Sequence, residues 1–353
     1  MLKNLVGVTG AAALLVGVCL PLPSSATGSS ATTAESVQPA PSVASDAGNK
    51  PDVIASREKL HLNPTFDAGH VPFSIRINGI DTSWTTMSAF VMPNQTLELS
   101  ASGGAGAFSA EAATGTLAAT GAATWKWTAP AQSGSQQIRV RNADGSKTAV
   151  VEVFVLTPYD GNGSVGSYKI GEYKAEAKDG NPAYNRPVGF VEVTAQNIDT
   201  RLSPHFRLGQ FLCKGSDQFP KYVALQTALL VKLENLMEAL ADRGLPAETL
   251  HVMSGYRTPA YNAGIGNETT YSRHTYGDAA DVFLDRDGDG KMDDLDHDGA
   301  STKEDARILY QLVEDTLDPK LPGEFAGGLA IYSPTPSHGP FVHIDTRGKR
   351  ARW

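Results

Sequence analysis

Hydrophobic and polar residues alternate in short runs between residues 68 and 157. The clearest runs are 73–77, 96–99, 137–141 and 149–156. A period of two is typical of strands that bury one face. The turn-forming segment 142–145 lies between two of these runs, as expected for a hairpin. No helical period interrupts the pattern, which therefore predicts an all-β domain at 67–157, an antiparallel sandwich of immunoglobulin-like type.

The C-terminal part mixes helical and strand patterns and is predicted to form an α+β domain over 158–353. An apolar stripe of five leucines predicts a helix over about 221–243, which Gly244 ends. The stripe consists of Leu225, Leu229, Leu233, Leu236 and Leu240. A second helix is predicted to begin near Thr302, because Thr302 and Asp305 resemble a capping pair. The segments 280–284, 328–332 and 341–345 have the pattern of strands.

The first 26 residues have the composition of a secretory signal peptide. Lys3 precedes a mostly apolar run, and small residues follow at 24–26. A retained membrane anchor is the alternative, although Pro21 and Pro23 interrupt the run. Residues 27–66, rich in Ser, Ala, Thr and Pro, are predicted to be a flexible linker. The predicted signal peptide indicates an exported protein, periplasmic or extracellular. No later stretch is long and apolar enough to span a bilayer, so we expect no membrane span after cleavage.

The charge argues against nucleic-acid binding, and the cysteine content argues against a disulfide. The formal net charge of −8 argues against nucleic acid as a partner, since phosphate-binding chains normally carry a basic surplus. Signal cleavage would leave Cys213 as the sole cysteine, which excludes an intramolecular disulfide. Phe211 and Leu212 lie beside it, so a buried small hydrophobe is a better interpretation than a nucleophile.

Candidate metal ligands occur in two segments of the C-terminal part. His274 and Asp281 are separated by six residues that include Gly277 and two alanines. His343 is expected to share one face of a strand with Asp345. A catalytic zinc site needs three ligands from His, Asp or Glu and one open position. From spacing alone, an ordinary hydrogen-bonded His–Asp pair is the more common interpretation.

Three motifs together resemble a known family. The segment 272–281 reads Ser-x-His-x-x-Gly-x-Ala-x-Asp, the segment 254–259 reads Ser-Gly-Tyr-Arg-Thr-Pro, and the segment 343–345 reads His-Ile-Asp. This order and spacing resemble the zinc D-Ala-D-Ala carboxypeptidases and related murein endopeptidases, from about residue 160 to the C-terminus. The resemblance implies hydrolysis of amide bonds in peptidoglycan stem peptides by a cell-wall-associated monomer. A non-catalytic wall-binding or adhesive protein with a degenerate peptidase domain is the alternative.

The resemblance also implies roles for individual residues. It makes His274, Asp281 and His343 the zinc ligands. Arg257 would bind the substrate carboxylate or stabilise an oxyanion, with a structural salt bridge as the alternative. Ser272 would orient the peptide or hold His274 as an outer partner.

The expected general base departs from part of the family. Several members have a Glu three residues before the last zinc histidine, where this chain has Pro340. Another branch has a histidine five residues before that ligand, and His338 matches it. The resemblance therefore indicates His338 as the catalytic base, while Asp345 is the alternative and more naturally orients a neighbour.

An acidic insertion at 285–305 predicts calcium binding. Its first loop matches positions 1, 3, 5 and 6 of a calcium loop, and a second, overlapping match ends at Asp305. The candidate ligands are Asp285, Asp287, Asp289, Asp293, Asp294, Asp296, Asp298 and Asp305. A solvated acidic turn is the alternative, but so many aspartates in one short segment would repel one another without a cation, so Ca²⁺ is expected here. The resemblance adds Zn²⁺ as the other expected cofactor.

Overall fold

Nine strands of the first part form two sheets. They are β1 (His70–Ile77), β2 (Ile80–Trp84), β3 (Thr86–Val91), β4 (Thr96–Ser102), β5 (Ser109–Ala112), β6 (Thr116–Gly121), β7 (Thr124–Thr128), β8 (Gly134–Arg141) and β9 (Thr148–Val155). One sheet has the order β2-β1-β4-β7-β6 and the other β3-β9-β8-β5. Alternate residues of both sheets enter a shared apolar core, in which Trp127 is fully buried.

All four runs that alternation singled out lie in these strands, and the predicted turn joins β8 to β9, where the Asn142 amide donates to the Lys147 carbonyl over 3.2 Å. The expectation of purely antiparallel pairing is wrong at one place. Directly after β2 the chain passes to the other sheet, where β3 runs parallel to β9. Alternation defines which face of a strand is buried but not the direction of its neighbour, so the sequence did not show this pair.

The second part contains ten short strands and three α-helices. The strands are β10 (Thr157–Pro158), β11 (Ser164–Val165), β12 (Tyr168–Lys169), β13 (Gly189–Val193), β14 (Lys221–Val223), β15 (His251–Ser254), β16 (Ala279–Phe283), β17 (Gly328–Tyr332), β18 (Phe341–Asp345) and β19 (Ala351–Arg352). The helices are α1 (Thr227–Asp242), α2 (Pro259–Gly264) and α3 (Lys303–Gln311), and a π-helical segment, Leu312–Leu317, continues α3. The main sheet has the order β15-β16-β18-β17-β19.

The long helix begins later than its leucine stripe predicts. Residues 221–223 form β14, which pairs with the buried strand β13, so sheet pairing takes the first predicted turn. The other four leucines of the stripe are fully buried on α1, and Gly244 follows its end with the expected positive φ of 77°. The capping pair at α3 is confirmed. The Thr302 amide donates to the Asp305 carboxylate over 2.6 Å, and the Thr302 side chain accepts from backbone amides of the first turn.

Hydrogen bonds join the two parts along α1. The buried Ser88 hydroxyl on β3 donates to the Leu202 carbonyl over 2.8 Å, and the Thr227 hydroxyl donates to the Ser88 carbonyl over 2.9 Å. Trp84 Nε1 donates to the Glu238 carboxylate over 2.9 Å. The nine-stranded part is therefore attached to α1 and to the segment that precedes it.

The computed structural model describes residues 66–353 except 105, 268 and 322. The predicted signal peptide, and the predicted linker apart from Phe66, lie outside these residues. All of the described residues fall within one compact unit that starts at His61. In this described range, no helix has the length and apolar character needed to cross a bilayer.

Candidate metal centre

The main sheet and the turn before it bring the three predicted zinc ligands together. Asp281 on β16 lies directly opposite His343 on β18 in an antiparallel register. His274 lies in a 3₁₀ turn, Arg273–Tyr276, immediately before β16. Gly277 ends this turn with a φ of 75°, and a β-carbon there would overlap the backbone of Ala224. The glycine thus allows the chain to reverse tightly between His274 and the strand that carries Asp281.

The three side chains converge on one point. His274 Nε2 lies 3.2 Å from His343 Nδ1, and Asp281 Oδ1 lies 2.9 Å from His343 Nδ1 and 3.2 Å from His274 Nε2. Ligand atoms at zinc distances in a tetrahedron would lie about 3.3 Å apart. All three residues are buried, with exposures of 3%, 3% and 6% for His274, Asp281 and His343. The donor set and its spacing fit a zinc ion.

Outer partners determine which ring nitrogens face this point. His274 Nδ1 lies 2.8 Å from the Gly255 carbonyl, which accepts a hydrogen bond from Nδ1–H and leaves Nε2 with a free lone pair. His343 Nε2 lies 3.0 Å from Asp345 Oδ2, so Nδ1 is the nitrogen that faces Asp281. Such outer hydrogen bonds fix the tautomer and orientation of metal-binding histidines. Asp345 therefore orients a neighbour, the role that the sequence favoured for it over that of a base. Gly255 makes the contact to His274 that was one of the two roles predicted for Ser272.

The electrostatics of the two histidines differ. Burial lowers the pKa of His274, which favours the neutral ring that a metal requires. Burial also opposes charge on His343, but hydrogen bonds with Asp281 and Asp345 outweigh it and raise its pKa to about 9. Burial likewise opposes ionisation of Asp281, yet the two imidazoles hold the pKa of this carboxyl far below its usual range.

Arg257 lies at the edge of the cluster. Its Nε donates to the Ser254 hydroxyl over 2.6 Å, and its Nη2 donates to Asp281 Oδ2. The structural salt bridge that the sequence left as an alternative for Arg257 is thus present. It is made to Asp281 Oδ2, whereas the two histidines contact Oδ1. The side chain keeps 13% exposure, so a substrate contact remains a prediction.

The backbone around Arg257 is fixed by two buried neighbours. Thr258 caps α2, because its hydroxyl accepts from the Tyr261 amide over 3.1 Å. Cys213 is 1% exposed, and its sulfur lies 3.4 Å from the Thr258 amide. Cys213 is therefore a buried packing residue, as interpreted from its neighbours.

Ser272 is buried in the turn that carries His274, whereas His338 lies in a separate turn before β18. Ser272 is buried, and its carbonyl accepts from the amide and hydroxyl of Thr275. His338 lies in a turn before β18, with Nδ1 2.8 Å from the Gly339 carbonyl and its ring 5.1 Å from that of Phe341. Among the described residues, no hydrogen bond or ring contact of His338 reaches the three ligands. Its role as a base stays a prediction.

The C-terminal tryptophan is a site residue that the sequence patterns missed. The Trp353 ring lies 5.2 Å from the ring of His343, and Trp353 Nε1 donates to the Tyr332 hydroxyl over 3.0 Å. Trp353 is 56% exposed. The family resemblance includes the Arg-Trp pair at 352–353, but spacing arguments cannot place Trp353 beside His343.

The eight acidic calcium candidates separate into two trios and two remaining residues. Carboxylate oxygens of Asp285, Asp287 and Asp289 lie within 4.8 Å of one another, as do those of Asp294, Asp296 and Asp305. Asp293 instead pairs with Arg286, and Asp298 accepts from the Ala300 amide over 2.9 Å. The overlap between the two sequence matches is thus resolved, because Asp296 joins the second trio and not the first.

Comparison with family models and with curated proteins found no match for this chain.

Proposed function

We propose that this chain is a zinc-dependent peptidase that hydrolyses amide bonds in peptidoglycan stem peptides. The observation that supports this best is the convergence of His274 Nε2, His343 Nδ1 and Asp281 Oδ1 at separations of 2.9–3.2 Å. Two imidazoles and one carboxylate are the ligand set of a catalytic zinc site with an open position. An ordinary His–Asp pair would need neither the second imidazole nor the outer hydrogen bonds that turn both lone pairs inward.

Zinc at such a site lowers the pKa of a water molecule and polarises a carbonyl oxygen. The chain's own residues would supply orientation and charge. Gly255 and Asp345 hold the two rings. Arg257, whose guanidinium is fixed by Ser254 and Asp281, would offer a planar cation to a substrate carboxylate or to developing negative charge. His338 would move a proton between water and the leaving amine.

The wall peptide as substrate is supported by the three motifs and by the export expected from the N-terminal residues. A D-Ala-D-Ala-type carboxypeptidase and a cross-link endopeptidase share this chemistry and differ in the bond they cut. We therefore propose the substrate class and leave the bond to the assay.

The test is incubation of purified protein with isolated muropeptides, with zinc and after its removal, followed by mass spectrometry. A carboxypeptidase would release one terminal alanine, and an endopeptidase would split cross-linked dimers into monomers. His343→Asn should abolish both zinc binding and cleavage. His297→Asn is the matched control, because His297 is exposed and its φ of 63° suits asparagine.

Protein that binds one zinc ion and cleaves no muropeptide would contradict the proposal. Retention of that same protein on insoluble peptidoglycan would then favour the non-catalytic wall-binding alternative.

A further inference from the structure

The strand that carries Asp281 leads directly into a buried carboxylate. Asp285 follows the end of β16 by two residues, and its side chain is only 6% exposed. Its Oδ2 accepts from the Gly290 amide over 3.1 Å and lies 3.3 Å from His251 Nδ1. Its Oδ1 is fully buried and has no hydrogen-bond partner among the described atoms. A buried, unpaired carboxylate oxygen is unfavourable unless something else neutralises it.

Two further carboxylates converge on Asp285. Oxygens of Asp285, Asp287 and Asp289 lie within 4.8 Å of one another. Besides His251, the trio has an ion pair with Lys291, whose Nζ lies 3.8 Å from Asp289 on an exposed side chain. An exposed ion pair of this kind contributes little. Arg286, the other nearby cation, is paired with Asp293. The three negative charges therefore meet without a buried positive partner among the described residues.

We propose that Asp285, Asp287 and Asp289 bind one Ca²⁺, with Asp285 Oδ1 as its buried ligand. Hard carboxylate oxygens suit calcium better than zinc, which prefers nitrogen and sulfur, or magnesium, which demands strict octahedral geometry. Gly290, at the sixth position of the loop, has the positive φ of 80° that the sharp turn of such loops requires. This site does not depend on peptidase activity or on zinc.

The ion would lie where β15 begins and β16 ends. His251 on β15 pairs with Phe283 on β16, and their rings stack at 4.3 Å. Asp285, four residues after Asp281, contacts His251 from the loop. Calcium would thus join the loop to both strands near the candidate zinc centre, and its effect would be structural.

The second trio lacks a buried carboxylate oxygen without a hydrogen-bond partner, the feature of Asp285 on which this proposal rests. The carboxylate oxygens of Asp305 accept from the backbone amides of Leu295, Asp296 and Thr302. Backbone donors already satisfy that buried carboxylate, so it has no need of a cation.

Calorimetric titration of the full-length, zinc-loaded protein with CaCl₂ tests the assignment. The wild-type protein should bind calcium with a Kd of about 1 mM or tighter, the range of extracellular modules. Asp287→Asn and Asp289→Asn change exposed residues, so they should fold normally and bind one calcium ion fewer, or bind it at least about tenfold more weakly. Asp298→Asn removes one charge from the same segment outside both trios and should change the Kd less than about twofold.

Four outcomes would overturn the proposal. The first is no heat of calcium binding in the wild-type protein at 10-fold the highest expected Kd. The second is an equal loss in Asp298→Asn, which would indicate diffuse attraction to an acidic segment. The third is loss of the ion in Asp296→Asn but not in Asp287→Asn, which would place it in the second trio. The fourth is equal affinity for MgCl₂, which would remove the preference for calcium.

Discussion

His343 Nε2 lies 3.0 Å from Asp345 Oδ2, two residues further along the same strand face. Asp345 is in turn held by the Arg347 guanidinium and by the Gly328 amide, whose nitrogen lies 2.7 Å from Oδ1. The carboxylate is fully buried and cannot turn away. Because it occupies Nε2, the ring can present only Nδ1 to His274 and Asp281. A residue that is not itself a ligand thus determines the geometry of the candidate metal centre.

Asp345→Asn should weaken zinc binding. The amide keeps the shape of the carboxylate but loses the charge that fixes the His343 tautomer, and loss of such outer partners typically lowers metal affinity by about 10–100-fold. Competition with a chromophoric chelator measures the affinity, and circular dichroism checks that the fold is retained. A folded variant with wild-type affinity would show that Asp345 is not needed to orient His343.

Zinc binding should depend on pH through His343. Hydrogen bonds to two carboxylates raise the pKa of this ring to about 9 in the metal-free protein, so at neutral pH a proton occupies it. Zinc must displace that proton, so affinity should rise about tenfold per pH unit below pH 9 and level off above it. Titrations in buffers of different ionisation enthalpy should report about one proton released from His343 per zinc at pH 7. Heats that are independent of the buffer would contradict this.

The sequence indicated the three converging side chains of the candidate centre better than the groups that support them. His274, Asp281 and His343 belong to recognisable local motifs, and the structure brings them together. Gly255 supports His274 through a backbone carbonyl, an atom present at every residue, so only the folded chain could identify it. Trp353 reaches His343 through the pairing of β19 with β17, a long-range contact that no local pattern encodes.

The same limit explains the differences in the fold. A period of two or of 3.6 residues reports which face is buried, and it placed seven of the described strands and most of α1. It does not report partners, so the parallel β3–β9 pair was not foreseen. Pairing of β14 with β13 likewise decided where α1 begins. In the acidic segment, spacing allowed Asp296 to close the first loop. In the structure the Asp296 amide donates to the buried Asp305, and the Asp296 carboxylate belongs to the second trio.

His338→Gln should lower kcat on muropeptides without lowering zinc content. Glutamine fills a similar volume but cannot carry a proton, and loss of a general base typically lowers the rate by about 10²–10⁴-fold. Zinc content should be unchanged because the contacts of His338 are with Gly339 and Phe341. Steady-state assays with metal analysis provide the measurement, and His297→Asn is again the control. An unchanged kcat would exclude His338 as the base and leave the proton transfer to another group.

Calcium removal should lower thermal stability even when zinc is present. Ca²⁺ at 100-fold its Kd would add about 2.7 kcal/mol to the free energy of unfolding, and hence raise Tm by roughly 5–10 °C in a chain of this class. The protein is stripped with a chelator, freed of it by dialysis, and melted with zinc alone or with zinc and calcium. Asp287→Asn should show at most about half of this shift, since it lacks one carboxylate of the first trio and binds calcium at least about tenfold more weakly. A wild-type Tm that does not respond to calcium would mean that the loop after β16 is held by the protein alone.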